Sequence, residues 1–175
     1  MSHAASQQHE ENPQLARLLD YCRALAGQHA LPLADDFRPR DVRWALGWIS
    51  LIDVLDRGAD FRFRLFGTMC QSVYGLDLTG KKLSEIERCG TFTGLRGNYE
   101  EVVNLRRPAL KFVTFLWANG SEIGFERLLM PFVDREDEVC RILIAADCGM
   151  AEQDAIIVRG IGLPTMIQSG TSLLT

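Results

Sequence analysis

Histidine is scarce in this chain of 175 residues: there are three, and His3 and His9 both fall in the polar stretch 1–12. Only His29 is left for acid–base chemistry in the body of the chain, so a Ser/His/Asp arrangement has little to draw on. Cysteines number five, Cys22, Cys70, Cys89, Cys140 and Cys148, an odd count with no two spaced as C-x-x-C. Reduced thiols in a cytoplasmic protein are the expectation, and without finger-like Cys/His spacing a zinc site is not expected. No apolar run approaches the ~18 residues of a membrane span. A block of basic residues is also missing. The 19 Lys and Arg against 23 Asp and Glu leave a net charge of −4, which argues against general nucleic-acid binding. Phosphate loops, G-x-S-x-G elbows and H-E-x-x-H metal motifs do not occur. Residues 1–12 contain no apolar stretch, so they read as a flexible tail and not as a secretory signal.

What is present is ordinary for one globular domain. The hydrophobic fraction is 47% and the charged fraction 24%, enough for a core without disulfides or metal. A chain this short is not expected to join a sensor to a kinase, cyclase or DNA-binding effector, so any output would pass through another molecule.

Asn12-Pro13 reads as a helix start, a capping residue followed by proline at the first helical position. Leu15, Leu18, Leu19, Cys22, Leu25 and Ala26 follow at helical spacing, and Gly27 is a plausible stop. A loop and a short helix over Pro39–Leu46 come next. Ile49–Leu55 and Phe61–Leu65 read as two strands of a hairpin, the second alternating strictly with its arginines toward water. Thr68–Glu87 reads as short helical pieces broken by Gly75 and Gly80. A long helix is expected over Thr91–Arg107, with Tyr99, Val102, Val103 and Arg106 at helical spacing and Pro108 ending it. Three strands follow, Ala109–Ala118, Ser121–Val133 and Val139–Ala146, the first two joined through Asn119-Gly120, a strong hairpin signal. The tail from Ala151 reads as a short helix or a loose segment.

Two hairpin blocks flanking a helical middle make an antiparallel α+β domain, and five strands must share one sheet because an isolated hairpin is marginal in water. That order of elements resembles a PAS domain. Leu31-Pro32 with Asp36-Phe37-Arg-Pro39, Phe61-Arg-Phe-Arg-Leu-Phe-Gly-Thr68, Tyr74-Gly-Leu-Asp-Leu-Thr-Gly80 and Glu126-Arg-Leu-Leu-Met-Pro131 are similar to one bacterial, mainly alphaproteobacterial, PAS-like family over about residues 13–148. On this reading residues 1–12 are the tail, 13–148 the domain with its N-terminal helix, and 149–175 a C-terminal extension. The resemblance implies a sensory or regulatory fold and no particular enzyme activity.

It also implies a glove in which the sheet and the middle helices enclose a pocket. The lining expected from it is Phe63, Leu65, Cys70, Tyr74, Tyr99, Val103, Phe115, Trp117, Arg127 and Leu129; the same residues could instead pack a solid core. A haem sensor of this kind would place a histidine on the long helix, and none lies between Thr91 and Arg107. A flavin light sensor would carry an Asn-Cys-Arg-like run, which Gly67-Thr-Met-Cys-Gln71 does not match. Haem and flavin are therefore disfavoured, and no cofactor is named. Asp53, Asp77 and Glu85 read as single carboxylates in solvated or capping roles.

Glu126 and Arg127 are neighbours on a strand whose faces are both otherwise apolar, so one of the two charges must sit among apolar side chains. A buried charge needs a partner. Either it forms a structural ion pair, or Arg127 anchors a ligand carboxylate or phosphate; a register shift of one residue would exchange the two roles. The strand around Lys111, Val113, Phe115 and Trp117 is also apolar on both faces, so the outer sheet face needs a cover. A homodimer involving the helix Pro13–Ala26 and that face is expected, the alternative being a monomer covered by its own helix.

Three functions follow in order. The first is a stand-alone sensory domain binding a small molecule, a signalling partner or both. The second is a ligand-free interaction or dimerisation module. The third is a small enzyme, an isomerase or dehydratase on a cone-like scaffold, which would need an Asp/His pair facing the cavity. A pocket of roughly a few hundred Å³ would favour sensing.

Overall fold

The structure, a computed structural model, describes residues 13–89, 94–116, 120, 122–147 and 165–173. Side chains are described for these except 73, 115, 123, 125, 147 and 165–173. Ten elements follow in chain order: α1 (Pro13–Ala26), β1 (Ile49–Leu55), β2 (Asp60–Phe66), α2 (Thr68–Tyr74), α3 (Leu83–Arg88), α4 (Leu95–Leu105), β3 (Ala109–Leu116), β4 (Glu122–Val133), β5 (Val139–Asp147) and β6 (Thr165–Leu173). The fold is α+β. The five expected strands form one antiparallel sheet, and β6 extends it, giving the order β2-β1-β5-β4-β3-β6.

Four local expectations change. Thr165–Leu173, read as a short helix or a loose tail, is a strand paired with β3. The helix expected over Thr91–Arg107 runs only from Leu95 to Leu105; residues 91–93 lie outside the described residues. Gly94 precedes it with φ 93°, and Arg106 terminates it with φ 51° instead of continuing its stripe. Pro39–Leu46 is reduced to a 3-10 turn at Pro39–Val42. The strict alternation of β2 also breaks. Leu51 pairs with Leu65 and Ile52 with Phe63, so Arg64 is an extra residue, a bulge. A bulge reverses the parity of everything beyond it.

The two sheet faces carry separate cores. The inner core joins Ile52, Phe61, Phe63 and Phe66 to Val113, Leu129, Ile142 and Ile144, beneath Cys70, Leu83, Leu95, Tyr99 and Val102 from the helices. Against the outer face, α1 lays Leu15, Leu18, Leu19 and Cys22 on Leu128, Met130, Phe132 and Leu143. This is the apolar stripe read from the sequence, and its own sheet buries it. Phe37, packed edge-on against Phe132 at 5.6 Å, closes the outer core. The outer face is not wholly covered: Phe112 on β3 is 42% exposed, lying over Gly124 of β4.

One close approach sets the position of α2. A Cβ on Gly67 would stand 2.3 Å from the carbonyl oxygen of Gly47. That oxygen accepts hydrogen bonds from the backbone N–H groups of Met69 at 2.9 Å and Cys70 at 3.3 Å. The entry to β1 thus satisfies two donors at the start of α2, which otherwise would have no intrahelical acceptor.

Candidate functional site

Between the sheet and the middle helices lies a cavity of about 30 Å³. That is room for one or two waters, or for a polar group of that size. It is well below the few hundred Å³ that would have favoured sensing.

Five of the ten expected lining residues meet there: Phe63, Cys70, Tyr74, Tyr99 and Arg127. Leu129 is buried in the same core without lining the cavity. Val103 is half-buried at its margin. Leu65 is a correction: the bulge at Arg64 turns it to the outer face, opposite Leu51. Phe115 pairs with Ile123 through its backbone, and its side chain lies outside the described residues, as does all of Trp117. Sequence reading missed Trp48, Ser50, Phe66, Leu78, Leu95, Ile144 and Ala146. Ser50 and Ile144 were legible in principle, since each alternates with an inner-face isoleucine on its strand. Phe66 was hidden by the bulge.

The strand register settles which charge is buried. Arg127 faces inward at 4% exposure, and Glu126 takes the outer face. No carboxylate among the described residues pairs with Arg127, and its Nε and Nη2 atoms are buried without a hydrogen-bond partner. The guanidinium does meet the Tyr99 hydroxyl, which accepts a hydrogen bond from it. Burial pushes the Tyr99 phenol up from its ordinary value, the arginine opposing it. Burial likewise pushes the Cys70 thiol up to about 11, against a hydrogen bond from Ser50 and the charge of Arg127. Cys70 donates to the Trp48 carbonyl at 3.7 Å. Both acids are therefore neutral near pH 7, and neither compensates the arginine.

Other charged groups hold the frame. Lys111 on β3 stands opposite Arg127 and is ion-paired to Glu101 of α4. Arg96 ties α4 to Glu87 at 2.9 Å and to Asp60 at 3.2 Å. Asp53, expected to be solvated or capping, is 8% exposed and collects Arg62 at 3.0 Å, Arg141 at 3.3 Å and Arg64 at 3.7 Å. Glu85 caps α3, accepting from the backbone N–H of Lys82, and Asp77 accepts from the backbone N–H of Thr79 in the loop before it. His29 lies in a surface groove of about 480 Å³ with Arg23, Arg106 and Arg107, away from the cavity. No helix among the described residues is long and apolar enough to cross a membrane.

No curated protein matches the chain. Solved structures similar to it include an RNA-binding light-oxygen-voltage receptor, 11% identical with a TM-score of 0.48 over 67% of this chain and 34% of that one. Another is the VqmA–ligand–DNA complex of Vibrio cholera, 12% identical with a TM-score of 0.43 over 73% of this chain and 59% of that one. The chain thus spans about a third and three fifths of their lengths. The family model described as a PAS domain matches residues 10–145, which take in α1, Arg127 with nearly all of the cavity lining, and nearly all of the five-strand sheet. By that match, the chain belongs to the PAS domain family.

Proposed function

We propose that this PAS domain is a sensory or regulatory module whose inner cavity takes a small molecule, with Arg127 as its anchor. The buried, unpartnered edge of the Arg127 guanidinium is the observation that carries the reading. Taking a guanidinium out of water without a partner costs several kcal/mol, and a ligand that satisfies it recovers part of that cost. The small cavity restricts the occupant to a compact head group. Its described lining residues include neither a carboxylate nor a histidine, so the acid–base pair a cone-like enzyme would need is not among them.

Arg127→Met tests the anchor. A methionine of similar length leaves no orphaned donors, so the variant should equal or exceed the wild type in urea stability, by about 1–4 kcal/mol. A loss of more than about 2 kcal/mol would make Arg127 a structural residue. Native against denatured mass of the purified protein then shows whether a small molecule is retained, and the variant should not retain it.

A second reading is favoured by Phe112. Its ring is exposed on the outer face, where α1 packs mainly on β4 and β5. On this reading two copies dock through that part of the sheet, and the response to the cavity is passed on as a change between copies. Phe112→Glu should then convert a dimer to a monomer in sedimentation, and a wild type that sediments as a monomer would remove the reading.

A further inference from the structure

The orphaned atoms of Arg127 specify more than a charge. A guanidinium presents its N–H donors in a rigid planar fork, and the Nε–H and one Nη2–H point in parallel along a single edge. That edge matches the two oxygens of a carboxylate. Nε and Nη2 are the two atoms left without partners. The open feature is thus one complete bidentate edge on a residue that lines the cavity, and not a scatter of unmet donors.

Charge narrows the occupant further. Lys111 and Arg127 are both buried, at 1% and 4% exposure, while Glu101 is ion-paired to Lys111. Tyr99 and Cys70 face the guanidinium as neutral groups, their ionisation opposed by burial. One positive charge is left uncompensated among the described residues of the cavity. A second cation that a dianion would need does not line it. The walls around the fork are apolar, from Phe66, Leu78 and Ile144. About 30 Å³ accepts a carboxylate head and little else. Trp48, Tyr74 and Ala146 are only half-buried, so a short tail has its way out on their side.

Resting on the reading of the cavity as a ligand site, we infer that its ligand is a short monocarboxylate held bidentately by Nε and Nη2 of Arg127. A dicarboxylate or a phosphate brings more charge than the site can neutralise, and the corresponding amide cannot accept with both of its polar atoms.

Titration calorimetry of the full chain at constant ionic strength tests this, with propionate, propionamide, succinate and inorganic phosphate as probes. Propionate should bind one to one, at least tenfold tighter than the other three. Arg127→Lys keeps the charge but loses the parallel edge, and should weaken propionate at least tenfold while leaving the urea midpoint near that of the wild type. Arg127→Met should abolish binding. Phosphate or succinate binding in preference to propionate would overturn the monocarboxylate and leave the cavity reading standing. So would a retained neutral molecule in native mass spectrometry. Failure of all four probes, with Arg127→Met destabilised and no retained mass, would overturn both.

Discussion

Lys111 and Arg127 stand opposite each other on β3 and β4, both pointing into the inner core. Cross-strand neighbours with like charge repel, and Glu101 of α4 relieves the pair by binding Lys111. Glu101→Gln keeps the shape and removes the charge. It should lower stability by about 2 kcal/mol, toward the low end for a broken buried pair because the carboxylate is partly exposed. Urea unfolding with an unchanged m-value is the measurement; a shift under about 0.5 kcal/mol would show that Lys111 is held by other groups.

Asp53 is where the β2-β1-β5 side of the sheet gathers its charge. Asp53→Asn should cost about 1–3 kcal/mol, because a buried carboxylate loses its charge-assisted hydrogen bonds. Its arginines should not contribute equally. Arg141 is 19% exposed against 55% for Arg64. A double-mutant cycle should give a coupling to Asp53 clearly larger for Arg141, with Arg64 below about 0.5 kcal/mol.

Gly67 and Gly97 should respond to alanine with opposite signs. At Gly67 the new methyl meets the Gly47 and Ile49 carbonyl oxygens, at 2.3 and 2.7 Å. Gly67→Ala should therefore destabilise by more than about 1 kcal/mol. It should also shift α2, which carries Cys70 and Tyr74, and so weaken any cavity ligand. Gly97 lies within α4 with nothing within 4 Å of the added atom. Gly97→Ala should stabilise by about 0.5–1 kcal/mol. Thermal melts of the two variants read both signs.

Thiol chemistry should be uneven. Cys89 is exposed, whereas Cys22 and Cys70 are buried, with burial raising their pKa values to about 12 and about 11. A disulfide reagent near pH 8 should therefore modify Cys89 well ahead of Cys22 and Cys70. Alkaline stability follows from the same shifts. The folded values lie above the unfolded thiol value of about 8.5, so the stability these groups contribute is complete below about pH 8. It falls as pH rises from there through the folded values. Cys70→Ala should flatten the decline of the thermal midpoint between about pH 9 and pH 11; an unaltered slope would assign that decline to other groups.

The order of elements was legible because each strand carries its own period and turns of glycine, proline and asparagine separate them. The opposing faces of Arg127 and Leu128 followed from alternation once the register was known, but the register itself depends on partners far away in the chain. Leu65 shows the limit of a local pattern. Its segment alternates without a flaw, yet the bulge at Arg64 exists only in the pairing with β1. Asp53 shows another: three arginines from two strands converge on a residue that looks like a solvated carboxylate in its own neighbourhood. Size was equally hidden. Aromatic and aliphatic side chains from β1–β5 and α2–α4 fill the glove nearly completely, and their interdigitation is a property of the packed state.

The pairing of β6 with β3 has a consequence for how the domain survives in a crowded solution. Without β6, Ala109–Leu116 would be the rim of the sheet. It would present unpaired amides beside Leu110 and the exposed Phe112, a template for adding strands from other molecules. The antiparallel register from Ala109–Leu173 to Leu116–Thr165 closes that rim along its whole length. On this pairing β6 covers the β3 edge, and a chain cut before Thr165 should aggregate on standing while the full chain stays dispersed.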